Sequence, residues 1–289
     1  MKNKIIIIIS ILFIMILSGC SNNDDKTSGF PGSNSDSSTG NGVVIQFNDG
    51  NINPQKGNEF SLFLNIINYQ RHDLDNFQIR PSGFDPTYVK SGLEKEYNLN
   101  LKAATSISPN MYNLPITGIV LDGFTGDYSF DPIFKYCYTA KTQYLKQVCV
   151  PDEFGKCDIK TDNTISLNGP LSISLNKIYP IGQDEIGLDY EISNKLNGFV
   201  VNECFQNEAL NSFGNEFTIV SSKLGSSDGN CEPISASDYQ INNNKALIRC
   251  TFSRSGNEGY YASQANLEIQ YNYQQEVKKI IKISDLSVR

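Results

Sequence analysis

The sequence predicts an all-β protein: two tandem β-sandwich domains that follow a leader segment and a disordered tether. Three observations carry the prediction. Past residue 42, apolar residues recur at every second position in short runs, the period of a strand with one buried face. Clusters of Gly, Pro, Asn and Asp separate the runs and supply turns. One such pattern occurs twice in the same order, and no long stretch with the 3.6-residue period of a helix stands out after the leader.

The leader occupies residues 1–19. Met1-Lys2-Asn3-Lys4 is a short basic start, and Ile5 to Leu17 is apolar apart from Ser10. That length suits the core of an export signal and falls short of the roughly 20 residues a spanning helix needs. Leu17-Ser18-Gly19-Cys20 follows. This resembles the lipobox of prokaryotic lipoproteins, over residues 1–20 only. The resemblance implies cleavage before Cys20, diacylglycerol on its thiol, and an extracytoplasmic, membrane-anchored chain. Two or more acyl chains hold a protein stably where one is marginal. The alternatives, an ordinary secretory leader or an uncleaved anchor helix, would still export the chain.

Residues 20–42 form the expected lipidated cysteine and flexible tether. From Ser21 to Gly42 the only large apolar residue is Phe30. Such a segment buries too little surface to offset its ordering entropy. Its Gly/Ser-rich composition makes a soft spacer.

The body begins at residue 43, and two stretches in it match. Ile52-Asn53-Pro54-Gln55-Lys56-Gly57-Asn58-Glu59 precedes Phe60, Leu62, Leu64, Ile66 and Asn68 at alternate positions. Ile178-Tyr179-Pro180-Ile181-Gly182-Gln183-Asp184-Glu185 precedes Ile186, Leu188, Tyr190, Ile192 and Asn194 in the same way. Pro and Gly predict a turn before each strand. Tyr136-Cys137-Tyr138 and Tyr271-Asn272-Tyr273 each close an aromatic stretch, and each precedes one last expected strand, Gln143 to Val150 and Glu276 to Ile283. Further strands are expected at Tyr97–Leu101 and Leu171–Leu175. The expected domains are therefore residues 43–150 and 158–289, joined at Pro151 to Thr164, with similar topology.

The Pro-x-x-Gly turn, alternating strand and terminal Asn resemble immunoglobulin-like domains of prokaryotic cell-surface and adhesion-related proteins. The resemblance spans both units through short motifs. It departs from true immunoglobulin domains in lacking their Cys…Trp…Cys core, since the chain has no Trp. It implies stalks, adhesive modules or spacers, and a fold alone does not choose among these.

With Cys20 acylated, six cysteines remain: Cys137, Cys149, Cys157, Cys204, Cys231 and Cys250. An even number in an exported chain suggests disulfides, and six cysteines allow fifteen pairings. Cys149–Cys157 is the best local pair, because Asp152 to Lys156 can turn between them; Cys231–Cys250 is a weaker one. No two cysteines have zinc-finger spacing, and the lone His72 is far from all of them in sequence. No metal or cofactor is expected.

The net charge of −7 and the absence of Lys/Arg runs argue against nucleic acid. His72, in Tyr69-Gln70-Arg71-His72-Asp73, reads as an exposed loop residue rather than a catalytic base. Asp122-Gly123-Phe124-Thr125-Gly126-Asp127 departs from the EF-hand spacing and reads as a turn. Tyr128, Phe130, Phe134, Tyr136 and Tyr138 read as core and cross-strand partners before a ligand platform. Carboxylate pairs that are distant in sequence leave no signature. The leading expectation is a non-enzymatic surface module, acting as adhesin, scaffold or spacer on a protein or surface-polymer partner. The alternatives are a ligand-binding surface lipoprotein and an exported carboxylate-dependent hydrolase.

Overall fold

The structure, a computed structural model, describes residues 41–48, 54–158, 164–167, 169–194, 196–205, 216–234, 239–241, 244–254 and 259–285. Cys20 and the tether up to residue 40 lie outside them. The first half of the body contains β1 (Val43–Phe47), β2 (Glu59–Asn68), β3 (Leu74–Ser82), β4 (Val89–Ser91), β5 (Tyr97–Leu101), β6 (Asn110–Leu121), β7 (Tyr128–Phe130) and β8 (Ile133–Val150). The second contains β9 (Thr164–Leu167), β10 (Leu171–Ile181), β11 (Glu185–Asn194), β12 (Phe199–Val201), β13 (Thr218–Leu224), β14 (Ser227–Pro233), β15 (Lys245–Ser253), β16 (Tyr261–Lys278) and β17 (Ile281–Ile283). No helix occurs among the described residues, so the protein is all-β.

The centre is the β8–β16 pair. Each strand is 18 residues long, and they run antiparallel from Ile133↔Lys278 to Val150↔Tyr261. Side chains alternate across a strand. On β8, Phe134, Tyr136, Tyr138, Ala140, Thr142, Tyr144, Val148 and Val150 are buried on one face. Opposite them, β16 buries Ala265, Leu267, Ile269, Tyr271 and Tyr273 on that same face. The other face is polar: Lys141 pairs with Glu268 at 3.7 Å, and Gln143 Nε2 donates to Asn266 Oδ1 at 3.1 Å.

Two layers pack on the apolar face. The four-stranded sheet β1-β2-β6-β4 covers one end, where Phe47 meets Phe134 edge to face at 5.8 Å. The β10-β11-β15 layer covers the other, where Tyr190 meets Tyr144 at 5.6 Å. Strand β14 makes the corner. Its first residues pair with β13 (Lys223↔Asp228), and its last five pair with β15 (Gly229↔Phe252 to Pro233↔Ile248). The sheet of eleven strands thus bends back over itself, as orthogonal sandwiches do at their corners.

Strand pairing crosses the expected boundary between residues 43–150 and 158–289. The closing strands of both halves lie side by side in one sheet, and Ser38–Arg289 is a single compact unit. Each half also ends inside the other. Residues Tyr144 to Val150 lie in the second half's layer, while β17 pairs with β7 and Lys56 bridges Asp285 at 3.0 Å. The expected last strands, Gln143 to Val150 and Glu276 to Ile283, are correspondingly not separate elements. The first is the end of β8, and the second is split between β16 and β17. Alternation reports which face of a strand is buried and is silent about its neighbour.

The repeat itself has a physical counterpart. Val43 pairs with Asn68, and Leu171 pairs with Asn194. Asn68 Oδ1 accepts from the Gln70 amide at 2.9 Å, and Asn194 Oδ1 accepts from the Leu196 amide at 3.2 Å, an Asx turn closing each strand. Gly57 and Gly182 take φ of 75° and 65°, the left-handed turn conformation glycine permits. The Val43 amide donates to the Tyr138 hydroxyl at 3.0 Å, and the Leu171 amide to Tyr271 at 2.9 Å. By this role Tyr138 matches Tyr271, two residues off the register that the Tyr-x-Tyr pattern suggests. Pro180 also differs from expectation: it lies within β10, an edge strand, where no ladder amide is demanded of it.

Candidate binding cleft

One edge of β16 is interrupted. Strand β12 pairs with Gln274 to Asn272, and β13 takes over at Gln270. A cleft of about 570 Å³ lies beside the end of β12 and the start of β13. Its floor includes Gln270 and Asn272 of β16 and Thr139 of β8. Asn202 and Glu203, after β12, and Glu216 and Phe217, before β13, also line it together with Pro233 and Tyr239, and the Glu216 amide donates to Asn202 Oδ1 at 3.4 Å.

The lining is braced at two points. Cys204, next to Glu203, is bonded to Cys137 of β8, with 5.6 Å between their α-carbons. Phe205 holds φ of 58°, its amide donates to Gln274 Oε1 at 3.0 Å, and the Arg80 guanidinium lies 4.5 Å from its ring centre. Cys231 and Cys250 face each other across β14 and β15 and are bonded, with α-carbons 3.9 Å apart. The Tyr239 hydroxyl donates to the Cys231 carbonyl, and the Phe217 amide donates to the Tyr239 carbonyl at 3.0 Å. The rings of Phe217 and Tyr239 meet edge to face at 5.7 Å.

The third bond, Cys149–Cys157, lies away from the cleft, with 6.1 Å between α-carbons. Asp152 organises the turn between the two cysteines by accepting from the amides of Phe154 and Lys156 at 3.0 and 2.8 Å. The two local pairs expected from the sequence are present, and Cys137–Cys204 is the pairing it left open.

Other candidates fall elsewhere. His72 is not freely exposed: its ring is half-buried near Lys141 and Glu268, and burial lowers its pKa against a raising hydrogen bond at the Thr139 backbone. Phe130, Phe134, Tyr136 and Tyr138 are core residues and form no ligand platform. Burial raises the pKa of Tyr136, Tyr138, Tyr271 and Tyr273, and pushes that of Tyr144 up to about 12. Asp122 accepts locally from the Gly123 amide at 2.7 Å, whereas Asp127 accepts from the distant Asp285 amide at 3.4 Å and ties the turn to the end of the chain. Among the described residues no three His, Cys, Asp or Glu side chains are grouped to hold a metal ion.

Glu203 and Glu216 were not singled out by sequence. They flank strand ends and belong to no periodic run, and only the adjacent Cys204 marks that region. Chemically, the cleft offers two carboxylates, amides, hydroxyls and three aromatic rings, with no Lys, Arg or His among its described lining residues. No protein-family profile matches the chain, and no curated protein matches it in sequence.

Proposed function

We propose that the chain is an extracytoplasmic binding protein, anchored through a lipidated Cys20, that works by contact rather than by turnover. The observation that carries this is the bracing of the cleft lining by disulfides, Cys137–Cys204 and Cys231–Cys250. Disulfides persist in oxidising compartments outside the cytoplasm. A cleft held open before its ligand arrives loses less freedom on binding. Among the described residues the lining carries no histidine, the side chain most often used for proton transfer near neutral pH.

A second reading has its own support. Glu203 and Glu216 line the same cleft, and a pair of carboxylates is what the hydrolysis of glycosides requires. One experiment separates the two: full-chain protein is assayed against a panel of glycoside and ester substrates alongside Glu203→Gln and Glu216→Gln. Contact without turnover is expected. Turnover that vanishes in either variant would establish the hydrolase instead.

A further inference from the structure

The outer face of the first half's covering sheet carries no charge. β1, β2 from Phe60 onward and β6 contain no Asp, Glu, Lys or Arg, although 19% of the chain is charged. Leu62, Leu64 and Ile66 turn into the core, so Phe63, Asn65 and Ile67 face outward. Register extends these into three cross-strand rows. Val44, Ile67 and Met111 form the first, Gln46, Asn65 and Asn113 the second, and Phe63 with Pro115 the third. Phe63 is 40% exposed and Met111 65%.

The duplicated half shows a solvated face at the same positions. Val43↔Asn68 corresponds to Leu171↔Asn194. Phe63 and Pro115 therefore stand where the second half has Asp189 and Arg249, and Ile67 and Met111 where it has Ser193 and Lys245. There Arg249 bridges Asp189 at 2.9 Å, and Lys245 bridges Glu191 at 2.8 Å. One sheet is laced with ion pairs. Its counterpart offers apolar side chains on either side of a row of amides, and contiguous apolar surface of this kind marks contact with a protein or a membrane.

The point where the chain enters selects between these. Val43 opens β1, the edge of this sheet, and only the short Gly/Ser-rich stretch separates it from Cys20. A soft spacer of roughly 20 residues reaches about 25 Å. At that reach the effective concentration of the face at its anchor is about millimolar, so a weak affinity seats it. Charge points the same way. The whole chain carries −7, which an anionic headgroup layer repels, and an uncharged face escapes that repulsion. Amides match the headgroup depth, and Phe63 and Met111 match the boundary with the acyl chains.

We propose that the outer face of β1, β2 and β6 rests on the lipid surface in which Cys20 is anchored. This rests on the anchor reading above and adds the surface through which the folded part meets the membrane.

The test places the acylated full chain in vesicles of phosphatidylcholine and phosphatidylglycerol, with or without bromine on the acyl chains. The chain has no Trp, so one introduced Trp reports its own surroundings. Phe63→Trp puts it on the uncharged face, and Leu247→Trp puts it on the matching face of the second half, where Leu247 is 36% exposed. Phe63→Trp emission is expected to shift to the blue in vesicles and to be quenched by brominated chains, and Leu247→Trp emission to do neither. Adding Met111→Asp to Phe63→Trp is expected to abolish the quenching and leave the melting transition in place. Quenching that is equal at both positions, or confined to Leu247→Trp, would overturn the proposal. So would a blue shift of Phe63→Trp that grows with protein density and ignores bromine, which would seat a second copy on the face. A chain that floats with the vesicles yet leaves Phe63→Trp unquenched overturns the face and keeps the anchor; a chain that does not float overturns both.

Discussion

The three disulfides should differ in what they contribute to stability, and the order follows from chain separation. Cys137–Cys204 closes 67 residues, Cys231–Cys250 closes 19 and Cys149–Cys157 closes 8. Cross-linking removes loop-closure entropy from the unfolded chain, which gives about 4.4, 3.2 and 2.5 kcal/mol in that order at 25 °C. The first bond also ties the closing strand of one half to a loop of the other, so its loss has no local substitute. For a unit of this size each kcal/mol shifts the melting temperature by about 2–4 °C, so Cys137→Ala with Cys204→Ala should lower it by roughly 9–17 °C. Cys149→Ala with Cys157→Ala should lower it by roughly 5–10 °C. Scanning calorimetry of the full chain, with each pair replaced in turn, measures all three. A Cys149–Cys157 loss as large as that of Cys137–Cys204 would refute the reasoning, because strain or local packing would then outweigh closure length.

Three further outcomes follow from the same structure. Tyr271→Phe removes the oxygen that accepts from the Leu171 amide and that bonds Thr142 Oγ1 at 2.7 Å; it should cost about 1–3 kcal/mol in urea unfolding, and Tyr138→Phe a similar amount, as the matching joint. His72 has a lowered folded pKa, chiefly through burial, so the unfolded chain binds the proton first as pH falls below 6.5. Stability should therefore drop from pH 7.5 toward 5.5, and His72→Asn should flatten that slope in thermal scans. Cys20→Ala should abolish acyl labelling and move the protein from the membrane to the soluble fraction, whereas unchanged retention would indicate an uncleaved helix.

Much of the fold was legible in sequence because strands with one buried face write their period into it. Phe60 to Asn68 and Ile186 to Asn194 alternate cleanly, and the duplicated Gly57/Gly182 and Asn68/Asn194 mark a turn and a strand end that demand those residue types. The partnership of β8 and β16 was not legible. Either strand could have paired within its own half on the evidence of its alternation, and only the match of 18 inward and outward positions brings them together. The cleft was hidden for a different reason. Glu203, Glu216 and Tyr239 come from segment ends that carry no period, and the Cys137–Cys204 bond beside Glu203 spans 67 residues. Local spacing could suggest Cys149–Cys157 and Cys231–Cys250, whose loops are short, and had no hold on the long one.

Peptide mapping of the full chain without reduction tests the account most directly, since it reads the bonds beside the cleft without assuming a ligand. The account predicts linked peptides for Cys137–Cys204, Cys231–Cys250 and Cys149–Cys157. Free thiols at Cys137 and Cys204, or either of them linked to another cysteine, would contradict it.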